Sequence, residues 1–140
     1  REFLQMYSGD KRIKYEKETP DILLFKFDKD QMLQVLHNLL QNAQDAINNQ
    51  STGIIRIKVS KTAHKKKEQI LLSIEDNGPG IREEILSKVF DPYTTTKAKG
   101  TGLGLPIVRK IIQENNAGIT LNNKNRGDGV VVQLLFDRIA

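Results

Sequence analysis

The sequence of 140 residues predicts an α+β two-layer sandwich, a mixed β-sheet covered on one face by helices. Three observations lead there. Two long segments, 30–48 and 102–116, repeat apolar residues at helical spacing. Between them, segments 54–60 and 69–75 alternate apolar and polar residues and read as an antiparallel hairpin. Two further strand-like segments, 119–122 and 130–136, follow the second helix. Elements that alternate in this way pack as layers around one core.

The elements follow in order. Segment 1–8 has apolar residues at Phe3, Leu4, Met6 and Tyr7, and fits the last turns of a helix. Residues 1–9 are expected to be the remnant of a linker or of a preceding helical domain, with one domain over 10–140. Ser8-Gly9-Asp10 is a turn signal. Lys11 to Lys17 alternates Ile13 and Tyr15 with charged residues as a strand, Thr19-Pro20-Asp21 turns, and Ile22 to Phe27 is a short apolar strand. The helix over 30–48 can be capped by Asp28 or Asp30, and Met32, Val35, Leu36, Leu39, Leu40, Ala43 and Ile47 define its core face. At about 100° per residue, Asn38, Asn42 and Asp45 fall within about 60° of one another along one edge of that stripe. Three polar side chains in register beside a core suggest a pocket wall.

The first hairpin strand is predicted over 54–60 and the second over 69–75, joined by the basic run Lys61-Thr62-Ala63-His64-Lys65-Lys66-Lys67, read as a solvated loop. The second strand runs straight into Asp76 and a glycine turn, which delivers a carboxylate to the sheet edge. A short helix over 82–88 comes next. Thr94 to Thr101 holds no hydrophobic anchor larger than alanine and is expected to be mobile. In the helix over 102–116, Pro106 fits only the first turn, which puts the glycines of 100–104 at the helix N-terminus; Ala117-Gly118 is expected to end it.

Composition narrows the function. Hydrophobic residues make up 38% and charged ones 28%, ordinary for a globular domain. No apolar run approaches the ~20 residues of a membrane span, and Arg1-Glu2-Phe3 does not begin a signal peptide. A cytoplasmic location is therefore expected, either as a separate protein or as a soluble piece of a longer chain, a membrane-anchored one included. The absence of cysteine excludes disulfides, cysteine metal sites and a thiol nucleophile, and the isolated His37 and His64 do not make a zinc site. A net charge of +5 suits an anionic partner without naming one. The basic run lacks interleaved aromatic residues, so no nucleic acid is expected.

Five of the ten glycines lie between Asp76 and Leu105, in two clusters that suit a nucleotide pocket with a lid. Asp76 can accept a hydrogen bond from an exocyclic amine such as adenine carries. Asn38 and Asn42 can offer amide oxygens to Mg²⁺. The 100–104 cluster offers N–H groups to phosphates, with Lys97 and Lys99 to neutralise them. Each signal alone also reads as a plain turn, a solvated amide pair or an ordinary helix start. Neither a Walker A loop nor a dinucleotide fingerprint is present.

Taken in order, the signals resemble the ATP-binding domain of bacterial sensor histidine kinases, within the gyrase/Hsp90/histidine kinase/MutL superfamily. The resemblance rests on His37-Asn38-Leu39-Leu40-Gln41-Asn42-Ala43-Gln44-Asp45-Ala46, Asp76-Asn77-Gly78-Pro79-Gly80, Phe90-Asp91-Pro92-Tyr93 and Gly100-Thr101-Gly102-Leu103-Gly104-Leu105. It covers about Pro20 to the C-terminus and looks most like the nitrogen-regulation NtrY/NtrB subgroup. It implies a Bergerat ATP-binding fold with ATP and Mg²⁺ as ligands. Asp76 would bind the adenine amine, Asn42 with Asn38 would hold Mg²⁺, and Thr95, Thr96 and Lys97 would lie on the lid. Gly102 and Gly104 would contact phosphates, and Phe90 and Tyr93 would anchor the near end of the lid. Asp45, Gly78, Gly80, Ile81, Gly100, Thr101, Leu103 and Leu105 complete the implied nucleotide-binding set, with Asn38, Asn42 and Lys97 as the catalytic group. Asp45 stands where many sensor kinases have a phosphate-binding Lys, leaving Lys97 for that task. Val130 stands where Thr or Ser is usual beside the adenine.

In the hydrolysing branch of the superfamily a Glu precedes the metal-binding Asn by one helical turn and acts as general base. Here that position is Asn38, which cannot take a proton at neutral pH. The expected function is therefore transfer of the ATP γ-phosphoryl group to a histidine on a separate helical-hairpin dimerisation domain. A response regulator would act downstream and the full-length protein would be a homodimer. Neither His37 nor His64 has an acceptor's context. The alternatives are an ATP-gated binding module without kinase activity, or a basic anion-binding adaptor that uses 61–67.

Overall fold

The computed structural model describes residues 9–48, 50–91, 104–124 and 128–139. The linker segment 1–8, the expected lid and most of the second glycine cluster lie outside the described residues. So do Tyr93, Thr95, Thr96, Lys97, Gly100, Thr101, Gly102 and Leu103.

Among the described residues, five strands form one sheet: β1 (Ile13–Lys17), β2 (Ile55–His64), β3 (Lys67–Asp76), β4 (Gly118–Asn123) and β5 (Val130–Asp137), in the order β1-β2-β3-β5-β4. β1 pairs parallel with β2 and the other pairings are antiparallel, so the sheet is mixed as expected. The parallel pair is joined through helix α1 (Lys29–Ile47), the crossover such a pair requires. A short helix, α2 (Glu83–Leu86), and helix α3 (Gly104–Glu114) follow β3.

The register places Ile55 opposite Asp76, Ile57 opposite Ile74 and Ile74 opposite Val132, so alternate residues of three strands share one face. That face supplies Ile55, Ile57, Ile70, Ile74, Val132, Leu134 and Phe136 to the core. Val35, Leu39, Leu40, Ala43 and Ile47 of α1 and Val108, Ile111 and Ile112 of α3 cover it.

Caps fix both helices. The Asp28 side chain accepts a hydrogen bond from Gln31 N–H at 2.9 Å, so Asp28 rather than Asp30 starts α1. At the end of α3, Asn116 takes φ 57°, Ala117 N–H bonds the Ile112 carbonyl at 3.0 Å and Asn116 N–H bonds Gln113 at 3.1 Å. This is a Schellman closure with Asn in the left-handed position, and Gly118 already belongs to β4. Asn116, not Ala117-Gly118, terminates the helix. The Asp10 carboxylate holds Arg12 through two side-chain bonds of 2.9 and 2.8 Å and accepts from Gln44 of α1 at 3.0 Å, tying the start of β1 to the helix.

Two further expectations are corrected. The expected strand over 22–27 is extended but is not part of the sheet. Leu23, Phe25 and Phe27 pack on the core while Ile22 and Leu24 face outward. Ring packing anchors it: Phe25 stacks on Phe136 with centroids 4.2 Å apart, and Phe27 meets Phe136 edge-on at 5.7 Å. The basic run is not a loop. β2 continues to His64, β3 begins at Lys67, and the turn is Lys65-Lys66, with φ of 52° and 65°. Two positive φ values fit a two-residue hairpin turn. Lys61 pairs with Asp21 and Lys67 with Asp137, so both ends of the run are held by carboxylates of the same chain.

Candidate nucleotide site

Asp76 is the last residue of β3 and points to the helix-covered face. It is only 6% exposed. Its Oδ1 accepts hydrogen bonds from Gly78 N–H at 2.9 Å and Val130 N–H at 3.3 Å. Among the described residues no donor reaches Oδ2, so that oxygen is the one left for a ligand amine. Burial raises the carboxyl's pKa above its ordinary value; the N–H groups of Gly78 and Val130, and more weakly the Lys124 charge, work against that rise. The hydroxyl that Val130 lacks is thus not needed to orient Asp76, because the Val130 backbone does so.

Close approaches fix the surroundings. A Cβ on Gly78 would lie 2.9 Å from the Ala46 carbonyl oxygen and 3.0 Å from the Ala46 Cβ, so this turn sits directly on α1. A Cβ on Gly129 would lie 1.9 Å from the Asp76 carbonyl oxygen, and Gly129 has φ 116°, so only glycine fits there. Gly80 also takes a left-handed φ, 80°.

The other end of the site lies two turns back on α1. A Cβ on Gly104, the first residue of α3, would meet the Asn38 side-chain oxygen at 3.8 Å. Asn38, Asn42 and Ala46 follow one another at intervals of four residues on α1. Asn38 therefore faces the N-terminus of α3, Ala46 faces the Asp76–Gly80 turn, and Asn42 lies between. At 1.5 Å per residue that line spans about 12 Å, the order of length from a purine to its phosphates. Asp45 is half-buried and accepts from Gln41 Nε2 at 3.1 Å. Leu105 and Ile81 pack against the core, flanking the two ends. Pro106 stands in the first turn of α3, as expected.

The donor set suits Mg²⁺ held together with a polyphosphate. The described residues contain no cluster of three or more His, Cys, Asp or Glu that could cage a metal. Asn38 and Asn42 offer amide oxygens, and Mg²⁺ takes few protein ligands plus phosphate oxygens and water.

Sequence reasoning missed several participants. Arg109 of α3 lies over the Phe90 ring, 5.5 Å from its centroid, and joins the Phe90 segment to the helix that opens at Gly104. Asn77 and Asn123 hold the two ends of the glycine turn. Asn77 enters the sequence reading only within the Asp76–Gly80 string, with no role of its own, and Asn123 at a strand end carries no distinctive spacing.

Residues 27–138 match the family model described as "Histidine kinase-, DNA gyrase B-, and HSP90-like ATPase", and the chain belongs to that family. Its relatives include sensor histidine kinases and nitrogen-regulation proteins. It is 38% identical over 132 residues to nitrogen regulation protein NtrY of Azorhizobium caulinodans, covering 92% of this chain and 17% of that protein. It is 33% identical over 120 residues to the sensory histidine kinase/phosphatase NtrB of Rhizobium leguminosarum bv. phaseoli, covering 79% of this chain and 31% of that one. The chain thus spans less than a third of either relative. The fold matches the catalytic domain of histidine kinase ThkA, solved nucleotide-free, at TM-score 0.79 and 33% identity over 99% of this chain and 89% of that one. ThkA in complex with the response regulator TrrA matches at TM-score 0.70 and 30% identity, over 99% of this chain and 39% of that chain. Among the described residues no helix is long and apolar enough to cross a membrane.

Proposed function

We propose that this chain binds Mg·ATP and donates its γ-phosphoryl group to a histidine on a helical-hairpin dimerisation domain. The observation that carries the reading is the line on α1 that joins Asn38, facing Gly104, to Ala46, facing Gly78 and Asp76. One helix thus meets both ends of a nucleotide-length site. Asp76 accepts the adenine amine through Oδ2, and the turn at Gly78 and Gly80 lies against the purine. The first turn of α3 at Gly104 offers backbone N–H groups to the phosphates. Asn42 and Asn38 would hold Mg²⁺, which neutralises phosphate charge when bound. Thr95, Thr96 and Lys97 belong to the lid in this proposal, with Lys97 as the phosphate-binding cation.

The chemistry is transfer rather than hydrolysis. Asn38 has no basic atom with which to activate water. A neutral imidazole nitrogen needs no base: its lone pair forms the N–P bond, the bond from phosphorus to the β–γ bridging oxygen breaks, and ADP leaves. The protein contributes orientation and a fixed set of donors around the phosphates. Phosphohistidine would then serve a response regulator, as the ThkA–TrrA complex suggests by likeness. The whole protein is proposed to act as a homodimer with this domain in the cytoplasm.

The test is a mixture of this chain, the matching hairpin domain and γ-labelled Mg·ATP. Acid-labile, base-stable label on the hairpin domain is expected, with none on this chain alone. Tight ATP binding without transfer would refute the kinase reading and leave an ATP-gated binding module.

A further inference from the structure

The Asp76–Ile81 turn contains two glycines and a proline and makes little backbone bonding of its own. It is held from outside, by one side-chain amide at each end. Asn77 Nδ2 donates to the Thr52 carbonyl at 2.8 Å, and Asn77 Oδ1 accepts from Ile54 N–H at 2.7 Å. Asn123 Nδ2 donates to the Ile81 carbonyl at 2.6 Å, and Asn123 Oδ1 accepts from Ile81 N–H at 2.8 Å. Each amide uses a donor and an acceptor at once, a combination that neither a carboxylate nor a hydroxyl of shorter reach reproduces.

The two straps reach different parts of the site. Asn77 fastens the turn to the loop that leaves α1, the helix of Asn38 and Asn42. Asn123 is the last residue of β4 and lies opposite Val130, whose N–H orients Asp76. The turn is therefore braced between the helix that faces the phosphates and the strand that aims the adenine acceptor.

We propose that Asn77 and Asn123 are positioning residues for purine recognition: they set where the glycine turn stands relative to Asp76 and so determine the preference for adenine. The inference rests on the nucleotide reading above. It assigns neither residue a contact with the reacting atoms.

The test uses Asn77→Ser and Asn123→Ser, neutral changes too short to bridge, with Asn123→Asp, which keeps the acceptor for Ile81 N–H and loses the donor. Mg·ATP and Mg·GTP affinities are measured by calorimetry, and amide hydrogen exchange is followed at Ile81, Ile54 and the core residue Leu134. Each Ser variant is expected to weaken Mg·ATP by about tenfold, because a turn released from its strap must be ordered again when the purine binds, while Mg·GTP changes little and discrimination shrinks. Exchange should accelerate at Ile81 or Ile54 and stay slow at Leu134, and Asn123→Asp, which sets a carboxylate oxygen against the Ile81 carbonyl, should not restore protection at Ile81. Unchanged ATP affinity and discrimination overturns the proposal. So does a parallel loss for both nucleotides with lost protection at Leu134, which marks a general structural role. A wild type that binds no Mg·ATP overturns the nucleotide reading itself, which separates that failure from failure of the straps.

Discussion

Asp76→Asn separates the two things a buried carboxylate does. In the wild type the charge is taken out of water, and burial raises its pKa despite the N–H groups of Gly78 and Val130 on Oδ1. An asparagine is nearly isosteric and its amide oxygen can keep both of those bonds, so the change removes the burial cost of a charge without orphaning a backbone donor. Stability without nucleotide is expected to hold or rise. Binding moves the other way. With the amide oxygen kept by the two backbone donors, the amide nitrogen occupies the position of Oδ2 and confronts the adenine amine, donor against donor. A hydrogen bond to a charged acceptor contributes about 1.5–3 kcal/mol, which at about 1.4 kcal/mol per decade is a loss of roughly tenfold to over a hundredfold in affinity. Calorimetric titration with Mg·ATP and a thermal melt of the unliganded protein read both effects. Wild-type affinity in the variant would refute the assignment of Asp76 to adenine. A fall of about 2 kcal/mol or more in unliganded stability, the cost of an orphaned buried group, would refute the claim that Asn preserves the Oδ1 bonds.

The remaining predictions test other parts of the same site. As pH falls through the raised pKa of Asp76, above the ordinary 3.8, this carboxyl's own contribution to the unliganded fold should grow, because its proton is bound more tightly than in the unfolded chain, while Asp10, Asp21 and Asp137, held low by their partners, work the other way. ATP affinity should decline over the same interval, since the amine requires the ionised form; Asp76→Asn should remove both effects, as followed by melts and titrations across acidic pH. Asn42→Ala should bring ATP affinity in Mg²⁺ down to the value measured in a chelator while leaving the preference for ATP over GTP intact. Gly129→Ala combines a φ of 116° with a Cβ at 1.9 Å from the Asp76 carbonyl oxygen, and should destabilise the fold by at least about 2 kcal/mol in denaturant titrations. Among the described residues, a Cβ at Gly104 meets only ordinary contact with Asn38, at 3.8 Å. Gly104→Ala should leave the fold as stable or up to about 1 kcal/mol more so, yet weaken ATP binding, because the methyl group occupies the approach to the α3 N-terminus.

What could be read from the sequence was what is local. The apolar periodicity of α1 and α3 and the Asp76 turn follow from short-range pattern, because a helix repeats its face within a few residues and a glycine turn declares itself in five. The segment over 22–27 shows where that reasoning stops. Alternation correctly sends Leu23, Phe25 and Phe27 inward and Ile22 and Leu24 outward. It carries no information on whether a neighbouring strand is in place to complete a ladder, and here Phe136 provides ring contacts instead. In the basic run the charge correctly marks exposure at a hairpin tip, but not that the strands extend into it, because Lys65-Lys66 lacks the Asn-Gly signal that would mark a two-residue turn.

The site divides along the same line. Asp76, Asn38, Asn42 and the glycines could be named because the chemistry of a nucleotide demands those residue types. The groups that give them their geometry are distant in sequence: Val130 reaches Asp76 across 54 positions, Asn123 reaches Ile81 across 42 and Asn77 reaches Thr52 across 25. Two of the three act through ordinary side-chain amides and one through a backbone N–H that any residue but proline supplies. The bond that orients Asp76 from Val130 thus belongs to the register of β5 against β3, whatever the side chain at that position, and the Val130 side chain serves the core.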